Sequence, residues 1–143
     1  MLKTRFFFAC IVLTIVSAAC GSTDNQTVQV SDAWARPGLA GGNSAVYFVI
    51  ENDTAQTDTL LSASSGIAAA VELHMTEMEG DTMQMMPQSE VPIPSGETTF
   101  QPGELHVMLI GLNHDLKPGD TFTVTLDFAA AGEMPLDVTV REP

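Results

Sequence analysis

Seven methionines follow Met1, and five of them, Met75, Met78, Met83, Met85 and Met86, crowd into one short stretch. Met108 stands downstream, and only Met134 lies elsewhere. Two of the three histidines, His74 and His106, flank the same region. Core methionines normally scatter as gap-fillers. Here Glu77, Glu79, Gly80, Asp81 and Gln84 are interleaved with them, too polar a setting for a core. Thioether sulfur is soft, neutral and free of any proton to lose, the donor type that selects Cu(I), while imidazole suits several metals including copper.

Spacing decides which of these side chains can meet. His106-Val107-Met108 lies in an apolar run, Leu105 to Ile110, with strand character. Positions i and i+2 of a strand face the same way, roughly 6.5 Å apart, so His106 and Met108 can converge on one ion. Met83 and Met85 share a face in the same manner, and His74 ends the predicted strand Ala69 to His74. His74, Met85, His106 and Met108 together make an N₂S₂ set of neutral ligands for Cu(I). Met75 points away from His74 if the strand continues, and caps the site only if the chain turns there. Met78 and Met83 read as aids to capture outside the final complex. Glu72 shares a face with His74; it reads first as a solvated strand residue, and second as an acceptor for the ring N–H. His114, in Asn113-His114-Asp115, reads as a solvated loop residue.

The elements that must position these groups are β-strands. Val28 to Ala35, Ser44 to Glu51, Thr59 to Ser64, Ala69 to His74 and Thr82 to Met86 carry strand character, as do Glu90 to Ile93, Thr98 to Phe100, Leu105 to Ile110, Thr121 to Phe128 and Pro135 to Arg141. Pro92 and Pro94 place their segment at an edge. Without a 3.6-residue stripe, these ten candidate segments, of which about seven to nine are expected to form strands, imply an all-β Greek-key sandwich or barrel. Ile67 to Val71, with three alanines, admits one helical turn. Trp34 reads as core. The Gly-rich loop at Gly38 to Gly42 lacks the lysine and following helix of a phosphate loop.

The chain of 143 residues carries 18 acids against 5 basic side chains, a formal charge of −13, which excludes a nucleic-acid partner. Lys3 and Arg5, the apolar run Phe6 to Val16 and the small residues Ser17-Ala18-Ala19 read as a secretory signal over residues 1–19. Residues 20–27 read as a tether and 28–143 as one β domain. Cys20 directly after the small residues resembles a bacterial lipoprotein acceptor, with Ser17 where leucine is usual. A protein of the periplasm or cell envelope follows, with two readings of its release: lipid anchoring through Cys20, its one contact with the membrane, or ordinary cleavage after Ala19 with an incidental cysteine. With Cys10 in the signal, Cys20 on the tether is the only cysteine left, which counts against a blue-copper centre, since that needs a thiolate beside two histidines. No G-x-S-x-G elbow and no H-E-x-x-H helix is present, and the chain reads as no enzyme.

Val71-Glu72-Leu73-His74-Met75, Met83-Gln84-Met85 and Leu105-His106-Val107-Met108 together resemble the signature of the periplasmic copper chaperone family written PCu(A)C. Ten residues separate His74 from Met85, and twenty separate Met85 from His106, one fewer than the family's usual spacing. Asp32-Ala33-Trp34-Ala35-Arg36, Ala45-Val46-Tyr47 and Leu116-Lys117-Pro118-Gly119-Asp120 extend the resemblance over most of the chain. It implies a cupredoxin-like β-barrel that carries Cu(I) and delivers it to respiratory oxidase copper centres or their assembly factors. The alternative is a non-catalytic, lipid-anchored Ig-like interaction domain with an incidental Met-rich loop.

Overall fold

The computed structural model describes residues 27–143; the expected signal segment, and the tether apart from Thr27, lie outside the described residues. Ten strands follow one another with no helix among the described residues: β1 (Val28–Ala35), β2 (Asn43–Asn52), β3 (Asp58–Ser64), β4 (Ala68–Glu79), β5 (Thr82–Gln88), β6 (Val91–Ile93), β7 (Gly96–Phe100), β8 (Leu105–Leu112), β9 (Thr121–Phe128) and β10 (Gly132–Val140). Each segment expected from the alternation forms a strand. The helical turn expected at Ile67 to Val71 does not form, because Ala68 already starts β4 and Ala70 pairs with Ile110. The largest change in bounds is at β4, which continues past His74 to Glu79 and pairs with β5 across the two-residue turn Gly80-Asp81. Gly80 takes φ +64°, a conformation open to glycine that closes so short a hairpin. The Met-rich stretch is therefore a β-hairpin.

The strands form one sheet in the order β5-β4-β8-β2-β1-β10-β9-β3-β6, with β7 also paired to β2. Non-consecutive neighbours such as β4–β8, β2–β8 and β3–β9 make the connections of Greek-key type. The sheet curls on itself: β3 and β4, near opposite ends of the path, touch, and one apolar cluster draws residues from every strand but β5. Val46, Phe48 and Ile50 of β2, Val107 and Leu109 of β8, and Leu73 of β4 lie in that cluster, with Phe48 stacked on Phe100 at 4.4 Å. β5 sits at one end of the path, exposed along Thr82–Pro87 and half-buried only at Gln88, so its pairing with β4 is what holds it.

β1 contains a bulge. Ser31 is opposite Val49 and Trp34 opposite Tyr47, so three steps on β1 match two on β2, and Asp32 in the bulge has φ +53°. Unbulged, the alternation that buries Val28 would carry Trp34 to the core face. The extra residue turns it over, leaving Ala35 buried and Trp34 half-buried on the outer face. The expectation of a core tryptophan fails for this reason.

Candidate metal centre

The strand alternation that buries Leu73 and Val107 also turns His74 and His106 to the opposite face, and register sets them directly across from one another. Their rings lie 5.8 Å apart, centre to centre. Met108 follows on the same face of β8, opposite Glu72 on β4 and Ala45 on β2. Across the hairpin Met85 pairs with Thr76, one step diagonal from His74, and Met83 pairs with Met78. Diagonal neighbours in an antiparallel pair are within reach of long side chains. Met75 and Met86 pair with one another on the other face, so the strand continues at Met75 and carries it away from the histidines. A cleft of about 400 Å³ opens here, lined by Thr76, Met83, Met85, His106 and Met108, with Tyr47 and Arg36 at its wall. His74 does not line this cleft; it lies two residues before Thr76 on the same face of β4, opposite His106. His114 is exposed in the connection between β8 and β9, away from the pair.

Hydrogen bonds indicate which nitrogen of each imidazole carries the proton when the ring is neutral. His106 Nδ1 lies 2.9 Å from the Glu104 carbonyl oxygen, which can only accept, so the proton is on Nδ1 and the lone pair on Nε2. His74 Nε2 lies 2.8 Å from a Glu72 carboxylate oxygen, which places the proton there and the lone pair of the neutral ring on Nδ1. Glu72, expected first as a solvated residue, is therefore the acceptor that orients His74. The two remaining nitrogens, His74 Nδ1 and His106 Nε2, are buried and have no hydrogen-bond partner. A buried polar atom without a partner costs about 1–3 kcal/mol, and natural structures keep few of them. Two side by side, both with free lone pairs, are what a metal ion needs.

Burial does most to hold His106 below its ordinary pKa of 6.5; the hydrogen bond to the Glu104 carbonyl opposes the shift, and the nearby Arg36 charge adds to it. The ring is thus kept neutral and ready to donate. Around it runs a ladder of rings and cations on the outer face. Tyr47 lies 6.3 Å from His106, Trp34 4.7 Å from Tyr47, and the guanidinium groups of Arg36 and Arg141 stand over Tyr47 and Trp34 at 5.7 Å and 4.6 Å. Sequence reasoning missed this ladder because the bulge that builds it leaves no mark in the alternation. Among the described residues no three His, Cys, Asp or Glu side chains gather as a site for a metal. The thioethers of Met83, Met85 and Met108 lie on the face that carries the histidine pair.

Known proteins share this frame. The family model for LpqE-like lipoproteins matches residues 28–140. A protein of Leifsonia xyli subsp. xyli named as a lipoprotein, Lxx21020, is 32% identical over 136 residues, covering 93% of this chain and 81% of its own length. Among solved structures, the Cu(I) form of DR1885 from Deinococcus radiodurans is 28% identical, with a TM-score of 0.61 over 86% of this chain and 85% of that one. The copper-bound PCuAC domain from PmoF2 has a TM-score of 0.69 at 24% identity, over 82% of this chain and 94% of that domain, a likeness of fold. The all-β, cupredoxin-like architecture is the one PCuAC domains have.

Proposed function

Because the chain belongs to the LpqE-like lipoprotein family, we propose that it is an exported copper carrier without catalytic activity, holding Cu(I) through His74, Met85, His106 and Met108. The observation that carries this reading is the pair of buried, unpartnered lone pairs on His74 Nδ1 and His106 Nε2. Copper-bound structures of similar chains support it. Two neutral imidazoles and two thioethers leave the +1 charge of the ion uncompensated and favour Cu(I) over harder ions. Met85 is 59% exposed on a strand with no core contacts, so an acceptor's soft ligand can replace it without unfolding anything. The acceptor in this reading is a respiratory oxidase copper centre or a factor that assembles one. A signal over residues 1–19 and a lipid on Cys20 place the carrier at the envelope membrane.

An anaerobic Cu(I) titration against a competing chelator tests the site. One tight equivalent per chain is expected, unchanged by Cys20→Ser, while the same substitution moves the protein from the membrane to the soluble fraction of cells. Loss of tight binding in that variant would place the metal on the thiol instead.

Acid should weaken the complex, since a protonated imidazole has no lone pair to give. The lowered pKa lets His106 keep its lone pair at a pH where a free imidazole has lost it. Affinity should be level above neutral pH and fall as His106 protonates, with only weaker binding surviving. In the metal-free protein the unfolded chain takes up this proton first. His106 therefore contributes stability above pH 6.5 that is lost as the pH drops through the lower folded value. Tight binding that stays flat into strong acid would remove both histidines from the ligand set.

A further inference from the structure

The outer face of the hairpin continues past the histidines. Met78 and Met83 are directly opposite one another near the turn, and Met85 follows Met83 on the same face. All three are open to solvent, at 63%, 62% and 59% of full exposure. The other face of the tip is polar, with Glu77 opposite Gln84 and the Gln84 amide donating to Glu79. The hairpin is thus two-faced, yet its apolar face lies against no core. Gap-filling does not explain these methionines, because β5 contributes no buried residue. Directly paired Cβ atoms lie about 5 Å apart, and i, i+2 neighbours about 7 Å, close enough for flexible thioethers to meet at one ion.

We propose that Met78, Met83 and Met85 form a second, weaker Cu(I) site of three thioethers, on which an incoming ion lands before it reaches the histidine pair. The inference rests on the copper reading above and adds a route to it. Met85 belongs to both sites: it faces Met83 along β5 and lies diagonal to His74 across β4. An ion can therefore exchange ligands one at a time, with Met85 bound throughout. Thioethers bind in any pH range, so capture does not wait on an imidazole losing its proton. The landing site is weaker because it lacks both nitrogen donors.

The test is a Met78→Leu/Met83→Leu double variant of the protein with Cys10→Ser and Cys20→Ser, titrated anaerobically with Cu(I) and followed by methionine methyl NMR signals. Leucine keeps the apolar area and approximate shape and removes only the sulfur. Wild type holds Met85 in the first equivalent, so a second, weaker equivalent should move the Met78 and Met83 methyl signals. The variant should lose that equivalent, load the first more slowly from a chelated source, and hold it as tightly at equilibrium. A His74→Asn/His106→Asn variant should lose the tight equivalent and keep the weak one. Retention of both equivalents and of the loading rate in the leucine variant overturns the landing site. A wild type that binds only the weak equivalent would overturn the histidine site while leaving the thioether site standing.

Discussion

Replacing His106 by leucine is expected to abolish tight Cu(I) binding while leaving the metal-free fold as stable as before. His106 is 3% exposed, and its Nε2 has no partner in the metal-free protein. Leucine removes that orphan atom, and with it a penalty of about 1–3 kcal/mol. The bond lost is Nδ1–H to the Glu104 carbonyl, but that oxygen also accepts the Thr76 backbone N–H at 3.2 Å and is not left bare. The two effects offset, and stability should change by no more than about 1 kcal/mol. Removing even an outer partner of a metal ligand costs roughly 10–100-fold in affinity, so loss of a ligand should cost more. Competition titration and thermal unfolding of the same sample decide the matter. A leucine variant that binds Cu(I) like wild type removes His106 from the site. One that unfolds several degrees lower assigns the buried ring a structural task.

The second large effect separates two adjacent methionines. Met85→Leu should weaken Cu(I) binding by at least about tenfold, whereas Met86→Leu should leave it unchanged. Register is the reason. Met85 pairs with Thr76 on the face that carries His74, His106 and Met108, while Met86 pairs with Met75 on the opposite face. Both side chains are well exposed, at 59% and 46%, and leucine has nearly the same volume, so neither change should disturb stability much. The loss at Met85 should be larger for Cu(I) than for Cu(II), because Cu(II) can rely on the two imidazoles and water. Isothermal or chelator-competition titration of the two variants in parallel reads this directly. Damage from Met86→Leu in place of Met85→Leu would mean that β5 pairs with β4 one residue out of the register described.

The sequence by itself determined the strands and which residues share a face of each. Period-two alternation is a local property, so Leu73 and Val107 facing inward already put His74 and His106 facing outward. The same rule paired Met83 with Met85 and His106 with Met108 before any partner strand was known. Soft donors without a usable thiol then limited the chemistry. What alternation cannot carry is which strands become neighbours and in what register. His74 and His106 are far apart in the chain, and only the β4–β8 pairing sets them opposite one another. Their tautomers depend on Glu72 and on the Glu104 carbonyl, contacts made by side-chain and backbone geometry rather than by spacing. Trp34 shows the limit most sharply. Counting by twos from Val28 and Val30 sends it to the core, and one extra residue at Asp32 sends it to the outer face beside Tyr47. A bulge inverts every later position of its strand, and it is fixed by how β1 lies against β2, which no local pattern records.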